Sequence, residues 1–260
     1  MNNQTIDVIQ KRDIDKILFS ITVLSQQVFY NDGTGYIYKR NINIFIGCNI
    51  NGVRKHITTL FEDDFEKVSD WYNLFLKFKN KGLKHCFFIV SNNENIIKAF
   101  KLAFNGGESF HCFFDDVYRL QHYVTFSYAN DILGKCRKVC LSENIDEFNL
   151  RKDELLEDYS SHPFIKDILI KSFDKYNKCF KYSYFLRKHL LSYYFLRDFK
   201  KKMMVISNSK SYFLNVNEFT ELLLPTIQRY ESKMYCSKEN WNQIISYLYE
   251  NNKELLSCEL

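Results

Sequence analysis

The 260-residue chain is 46% hydrophobic and 17% aromatic, with 24 Phe and 18 Tyr, enough to bury one large domain or a core with a helical extension. Two prolines and eight glycines exclude long flexible linkers. A net charge of +5, from 36 basic and 31 acidic residues, permits nucleic-acid binding without arguing for it, so local clustering matters more than the total.

Met1 to Lys16 is polar and mixed in charge, with no apolar segment of a secretory signal. The longest apolar runs, such as Cys86-Phe87-Phe88-Ile89-Val90, have the length of a strand rather than of a bilayer span. Eight scattered cysteines in a chain without an export signal read as buried free thiols, and the expected location is the cytoplasm.

In chain order, Ile17 to Phe29 is β-branched and aromatic, and Asn31-Asp32-Gly33-Thr34-Gly35 turns it back. Ile42 to Ile50 alternates like a strand, Asn51-Gly52 is a hairpin signal, and Val53 to Leu60 returns. Asp63 to Lys81 carries Phe65, Val68, Trp71, Tyr72, Phe75 and Phe78 at helical spacing, acidic at its start and lysine-rich at its end. His85 to Val90 reads as a buried parallel strand, Asn93 to Phe104 as a helix, and Ser109 to Phe114 as a further strand. The order β-β-β-α-β-α-β is that of a ribonuclease-H-like α/β fold, although other mixed folds share parts of it. From Asp116 the pattern is mainly helical: 117–129, 144–158, 164–180, 182–203, 216–230 and 241–251, with Pro163 at a helix start. The expected division is a short N-terminal segment 1–16, a mixed-sheet core 17–135 and a helical extension 136–260.

Four stretches carry a likeness to a known family. They are Phe45-Ile46-Gly47-Cys48-Asn49-Ile50-Asn51-Gly52, the helix end and strand from Phe75 to Val90, the segment Ile89 to Phe100, and Cys112-Phe113-Phe114-Asp115. Phe180-Lys181-Tyr182, Arg187-Lys188, the run Phe195 to Lys201 and Trp241-Asn242 extend it. Together they resemble the catalytic core of mutator-type transposases over residues 17–251, without the family's N-terminal DNA-binding region. The resemblance implies a ribonuclease-H-like core whose three carboxylates hold divalent metal for DNA strand transfer. It also implies that those carboxylates are gone. The first aspartate position falls on Leu24 or Ser25, the second on Ser91, the final glutamate near Tyr193, and the histidine of Cys-x-x-His becomes Asp115. Hydroxyls are poor ligands for Mg²⁺, so Mg²⁺ is expected only if residual activity exists.

Several features have competing readings. Asp115-Asp116 could be recruited acids of a divergent nuclease, with Glu94, or simple helix N-terminal carboxylates. Cys136 and Cys140, near His111, Cys112 and His122, suggest a metal site only weakly, because no second pair follows. Arg187, Arg197, Lys200, Lys201 and Lys202 form a basic run fit for phosphates, or a solvated helix end. The leading expectation is an inactive transposase-derived protein retained as a DNA-binding module. The rivals are a protein-interaction or structural protein, betrayed by an exposed aromatic patch, and the recruited-acid nuclease. Expected partners are DNA, a second copy of the chain or another protein.

Overall fold

The computed structural model describes residues 14–118, 120, 123–191, 193–231 and 238–251. The readings placed on residues 1–13, His122, Cys236 and Cys258 lie outside the described residues. Two compact units are present: residues 14–115 with 193–231, and residues 116–191 with 238–251.

The first unit is built on a five-stranded mixed sheet: β1 (Ile17–Asn31), β2 (Ile37–Asn49), β3 (Arg54–Phe61), β4 (His85–Val90) and β5 (Glu108–Phe110). Spatial order is β3-β2-β1-β4-β5. β1 and β2, and β2 and β3, are antiparallel, whereas β4 is parallel to both β1 and β5. Asn51-Gly52 makes the predicted turn. Gly52 adopts φ 76°, a region open to glycine at little cost, and the Asn49 side chain accepts from the N–H groups of Asn51 and Val53, both at 3.0 Å.

Helices α1 (Val68–Asn80) and α2 (Glu94–Ala103) cross between the parallel strands. Their apolar faces meet Leu18, Ile21, Val23, Phe45, Ile57 and Leu60 in one continuous core. Trp71 stacks on Phe65 with ring centres 4.6 Å apart, so the Trp71/Phe75/Phe78 stripe is core, as its helical spacing predicts.

The opposite face of the sheet is covered by helices from far along the chain, α8 (Tyr193–Ser207) and α9 (Val216–Glu231). The Arg54 guanidinium lies 4.8 Å from the Phe195 ring centre. Gln26 on β1 donates to the Ser207 hydroxyl at 3.3 Å, and the edge-strand N–H of His56 donates to Glu231 at 3.0 Å.

The second unit is helical: α4 (Phe126–Cys140), α5 (Ile145–Asp158), α6 (Pro163–Asn177), α7 (Tyr184–Leu191) and α10 (Lys238–Asn251). Pro163 occupies the first turn of α6, where its missing N–H leaves no bond unmade. The short α3 (Phe113–Tyr118) joins the two units along the chain.

Two sequence readings are corrected. The strand expected over 109–114 ends at Phe110, and the chain turns into α3. The cause is Asn92, whose side chain clasps Cys112 by accepting from its N–H at 2.9 Å and donating to its C=O at 3.0 Å; those groups are thereby lost to a ladder. The helix expected over 117–129 is instead α3 and a separate α4, because the Thr125 hydroxyl caps α4 by accepting from Tyr128 N–H. Within the helix expected over 182–203, Tyr184–Leu191 (α7) and Tyr193–Ser207 (α8) are helical, and they group with different units. Residues 193–231 group with the sheet, and residues 116–191 with the helical unit.

Candidate functional site

The site lies where the pairing of β1 with β4 ends, β1 continuing beyond it. Thr22 pairs with Val90, so Ser91 follows the last rung of the parallel pair and Ser25 stands three residues beyond it on β1. Ser25 is half-buried and its hydroxyl donates to the side-chain carbonyl of Asn43, its cross-strand partner on β2. Asn43 is fully buried. Leu24, the alternative first position, is a fully buried core residue.

Ser91 is 2% exposed and accepts from Asn93 N–H at 3.2 Å. Asn93 caps α2, its side-chain oxygen accepting from Asn95 and Ile96 N–H, while its amide donates to Glu62. Glu94 is exposed in the first turn of α2. The residues after β4 thus form a helix-capping turn, not a row of ligands.

Asp115 and Asp116, adjacent in sequence, are spent separately. Asp115 is 8% exposed and in direct ionic contact with the Lys200 ammonium, itself 8% exposed. Lys200 also donates to the backbone carbonyl of Ser25. Asp116 belongs to the other unit, where it accepts from Ser172 at 3.5 Å and lies 3.8 Å from Lys175. Among the described residues no group of three or more His, Cys, Asp or Glu could hold a metal ion. The convergence of Asp115, Asp116 and Glu94 that a recruited-acid nuclease requires is absent from that set. Cys136 and Cys140 are buried free thiols, both pushed up by burial, and neither is poised to ligate metal.

The expected basic run separates by depth. Arg187 on α7 is 1% exposed and points into the helical unit. Its guanidinium donates to the carbonyls of Tyr182, Cys140, Ser142 and Glu143, the last two at 3.0 Å, and stacks on the Phe180 ring at 4.0 Å. It is therefore committed to packing, as Lys200 is. Lys201 and Lys202 are exposed, and Arg197 is partly exposed beside Asp198.

Phe195, Phe199 and Met203 repeat every four residues and are all buried, which marks one face of α8; Lys200 stands about 100° round the helix from Phe199, so its burial follows from its partners and not from this stripe. Tyr193, the expected third position, lies on α8; its side chain lies outside the described residues. Asn43 and Asn92, which frame the site together with Asn93, carried no signal in the sequence, because an amide matters only once its partners are known.

The model of the family described as Transposase, Mutator family, matches residues 2–247, nearly the whole chain. The chain belongs to the Mutator family of transposases. No curated protein matches it. Transposase membership makes DNA the expected interaction partner, and among the described residues no helix is long and apolar enough to cross a membrane.

A Mutator-family site implies divalent metal, and the donors here do not fit it. Hard cations want several carboxylate oxygens. The Ser25 and Ser91 hydroxyls are both engaged within the protein, and Asp115 is already paired with an ammonium.

Proposed function

We propose that this Mutator-family chain is a ribonuclease-H-like transposase core that has lost strand-transfer chemistry and is retained, in the cytoplasm, to bind DNA. The strand order β3-β2-β1-β4-β5, antiparallel among the first three strands and parallel thereafter, supports the fold. One observation carries the loss of chemistry: the three positions expected to hold carboxylates are Ser25, Ser91 and Tyr193, on β1, after β4 and on α8. Without those oxyanions a two-metal phosphodiester reaction has no way to assemble its ions.

The DNA-contacting residues of this reading are Arg197, Lys201 and Lys202 on the outer side of α8. Arg187 and Lys200 leave the set because their charges are used inside the protein. The test is duplex binding by the purified chain across a salt series, alongside a nicking and strand-transfer assay with Mg²⁺ or Mn²⁺. Binding that weakens linearly in log[salt], with no product, is the expected result. Metal-dependent nicking overturns the loss of chemistry, and no binding at low salt overturns the DNA role.

A second reading, self-association, is favoured by the distal ends of β1 and β2. Phe29 (44% exposed), Tyr36 (69%), Ile37 (51%) and Tyr38 (47%) crowd one two-stranded ribbon. Its exposed charges include both signs, Asp32 and Lys39, which suits a second copy of the chain better than a phosphate backbone. Sedimentation of wild type against Tyr36→Ser/Tyr38→Ser decides it: a dimer that the double substitution dissociates supports the reading, and a wild-type monomer at all concentrations removes it.

A further inference from the structure

We infer that the Lys200 ammonium has taken over the structural work of a divalent cation, tying together the elements that once met at metal and freeing the joint from any need for one. The inference rests on the reading of this site as a remodelled transposase centre.

A bound cation would draw on β1, on the end of β4 and on the helix bearing the final acid. Here a chain of contacts closes the same circuit without one. Asn92, just after β4, clasps both backbone groups of Cys112. The Cys112 carbonyl accepts from Asp115 N–H at 3.0 Å. The Asp115 carboxylate pairs with Lys200 of α8, and Lys200 donates to Ser25 of β1. Each link joins named atoms, and all lie within the first unit.

Charge balance explains why the neighbouring positions could become neutral. Two divalent ions need several carboxylates around them, and without the ions those carboxylates would repel one another. A single ammonium needs one, and Asp115 supplies it. Its compact point charge, with three rotatable donors, can serve a carboxylate and a carbonyl together. Further acids would then be unpaired, fully buried at position 91 and half-buried at position 25, which is unfavourable, and serines stand there instead.

Burial excludes the simpler view of Lys200 as a surface cation. Both partners are 8% exposed, and removing one member of such a pair leaves an uncompensated charge inside the protein. The two residues are therefore interdependent, which additive packing contributions are not.

The test uses the full chain. Thermal unfolding of wild type in EDTA and in excess MnCl₂ should give the same Tm. Lys200→Met and Asp115→Leu should each lower Tm by several degrees. The double variant should recover much of the loss, because no lone charge remains buried. Lys200→Glu should be unstable in EDTA and gain Tm with Mn²⁺, since it sets a second carboxylate beside Asp115. Amine acylation of wild type, read by mass spectrometry, should modify Lys201 and Lys202 readily and Lys200 slowly, a readout that stands even if a variant fails to fold. A Mn²⁺-raised Tm in wild type, additive effects in the double variant, or acylation of Lys200 as fast as of Lys201 each overturn the inference. Metal-dependent nicking by wild type would instead overturn the loss of chemistry, so the two failures are distinguishable.

Discussion

Arg187 and Lys200 carry the same formal charge as Lys201 and Lys202, yet the first two are interior and the second two are not. For Arg187 the planar fork matters, because four carbonyls and the Phe180 ring surround it and an ammonium cannot reach them all. Arg187→Lys should therefore destabilise the helical unit by about 2 kcal/mol, and Arg187→Ala by about 3 kcal/mol. Urea unfolding followed by circular dichroism measures both, and losses within about 0.5 kcal/mol of zero would show these bonds to be incidental. His85 supplies a pH prediction. Burial above all holds its imidazole below the ordinary 6.5; a backbone hydrogen bond opposes it, and the Lys79 charge adds the smallest push downward. A depressed folded value means that the unfolded chain binds the proton more readily, so stability is full above 6.5 and falls as pH drops through and below it. His85→Phe should flatten Tm between pH 7 and about 5. An unchanged slope would assign the effect to other groups.

At the scale of elements, the caps decide where the site sits. Asn93 ends the turn after β4 and begins α2, satisfying two otherwise unmade N–H groups. Asn93→Ala should cost about 1 kcal/mol, visible as a fall in Tm. Asn92→Ala should cost more, about 1–3 kcal/mol, because it removes a bond from each backbone group of a buried residue, the carbonyl keeping only its bond from Asp115 N–H among those described. If Asn92→Ala proves milder than Asn93→Ala, the clasp does not hold α3 in place. The strand-like run from Ser109 to Phe114 illustrates the limit of local reading. Its residues favour β structure, but one side chain twenty residues earlier stops the ladder after three residues.

The whole molecule shows a sheet whose two faces are covered from distant parts of the chain. Residues 68–103 supply α1 and α2 for one face, and residues 193–231 supply α8 and α9 for the other. A fragment ending at residue 135 should expose Phe19, Leu24, Ile44 and Ile46, all buried in the intact unit, and aggregate. Supplying residues 193–231 in trans should improve its solubility. A monomeric, cooperatively folding fragment would show that α8 and α9 are dispensable. At the same scale, Lys201→Ala/Lys202→Ala should weaken DNA binding evenly across sequences and reduce the salt slope by about 1 for each phosphate no longer neutralised. Filter binding at several salt concentrations measures that slope, and an unaltered value would place the DNA surface elsewhere.

The sequence by itself determined the local elements: the Asn51-Gly52 turn, the strand His85–Val90, the helix capped by Asn93 and the proline-led start of α6 follow from periodicity and turn chemistry that act over a few residues. It also determined the Mutator-family kinship and the hydroxyls at positions 25 and 91, since those are matters of residue identity. Only the tertiary structure decided which charges are spent. Lys200 meets Asp115 across 85 positions of sequence and Ser25 across 175, and Arg187 meets carbonyls more than forty positions away. Pairing and burial set the worth of a charge, and both are fixed by neighbours that only folding brings near.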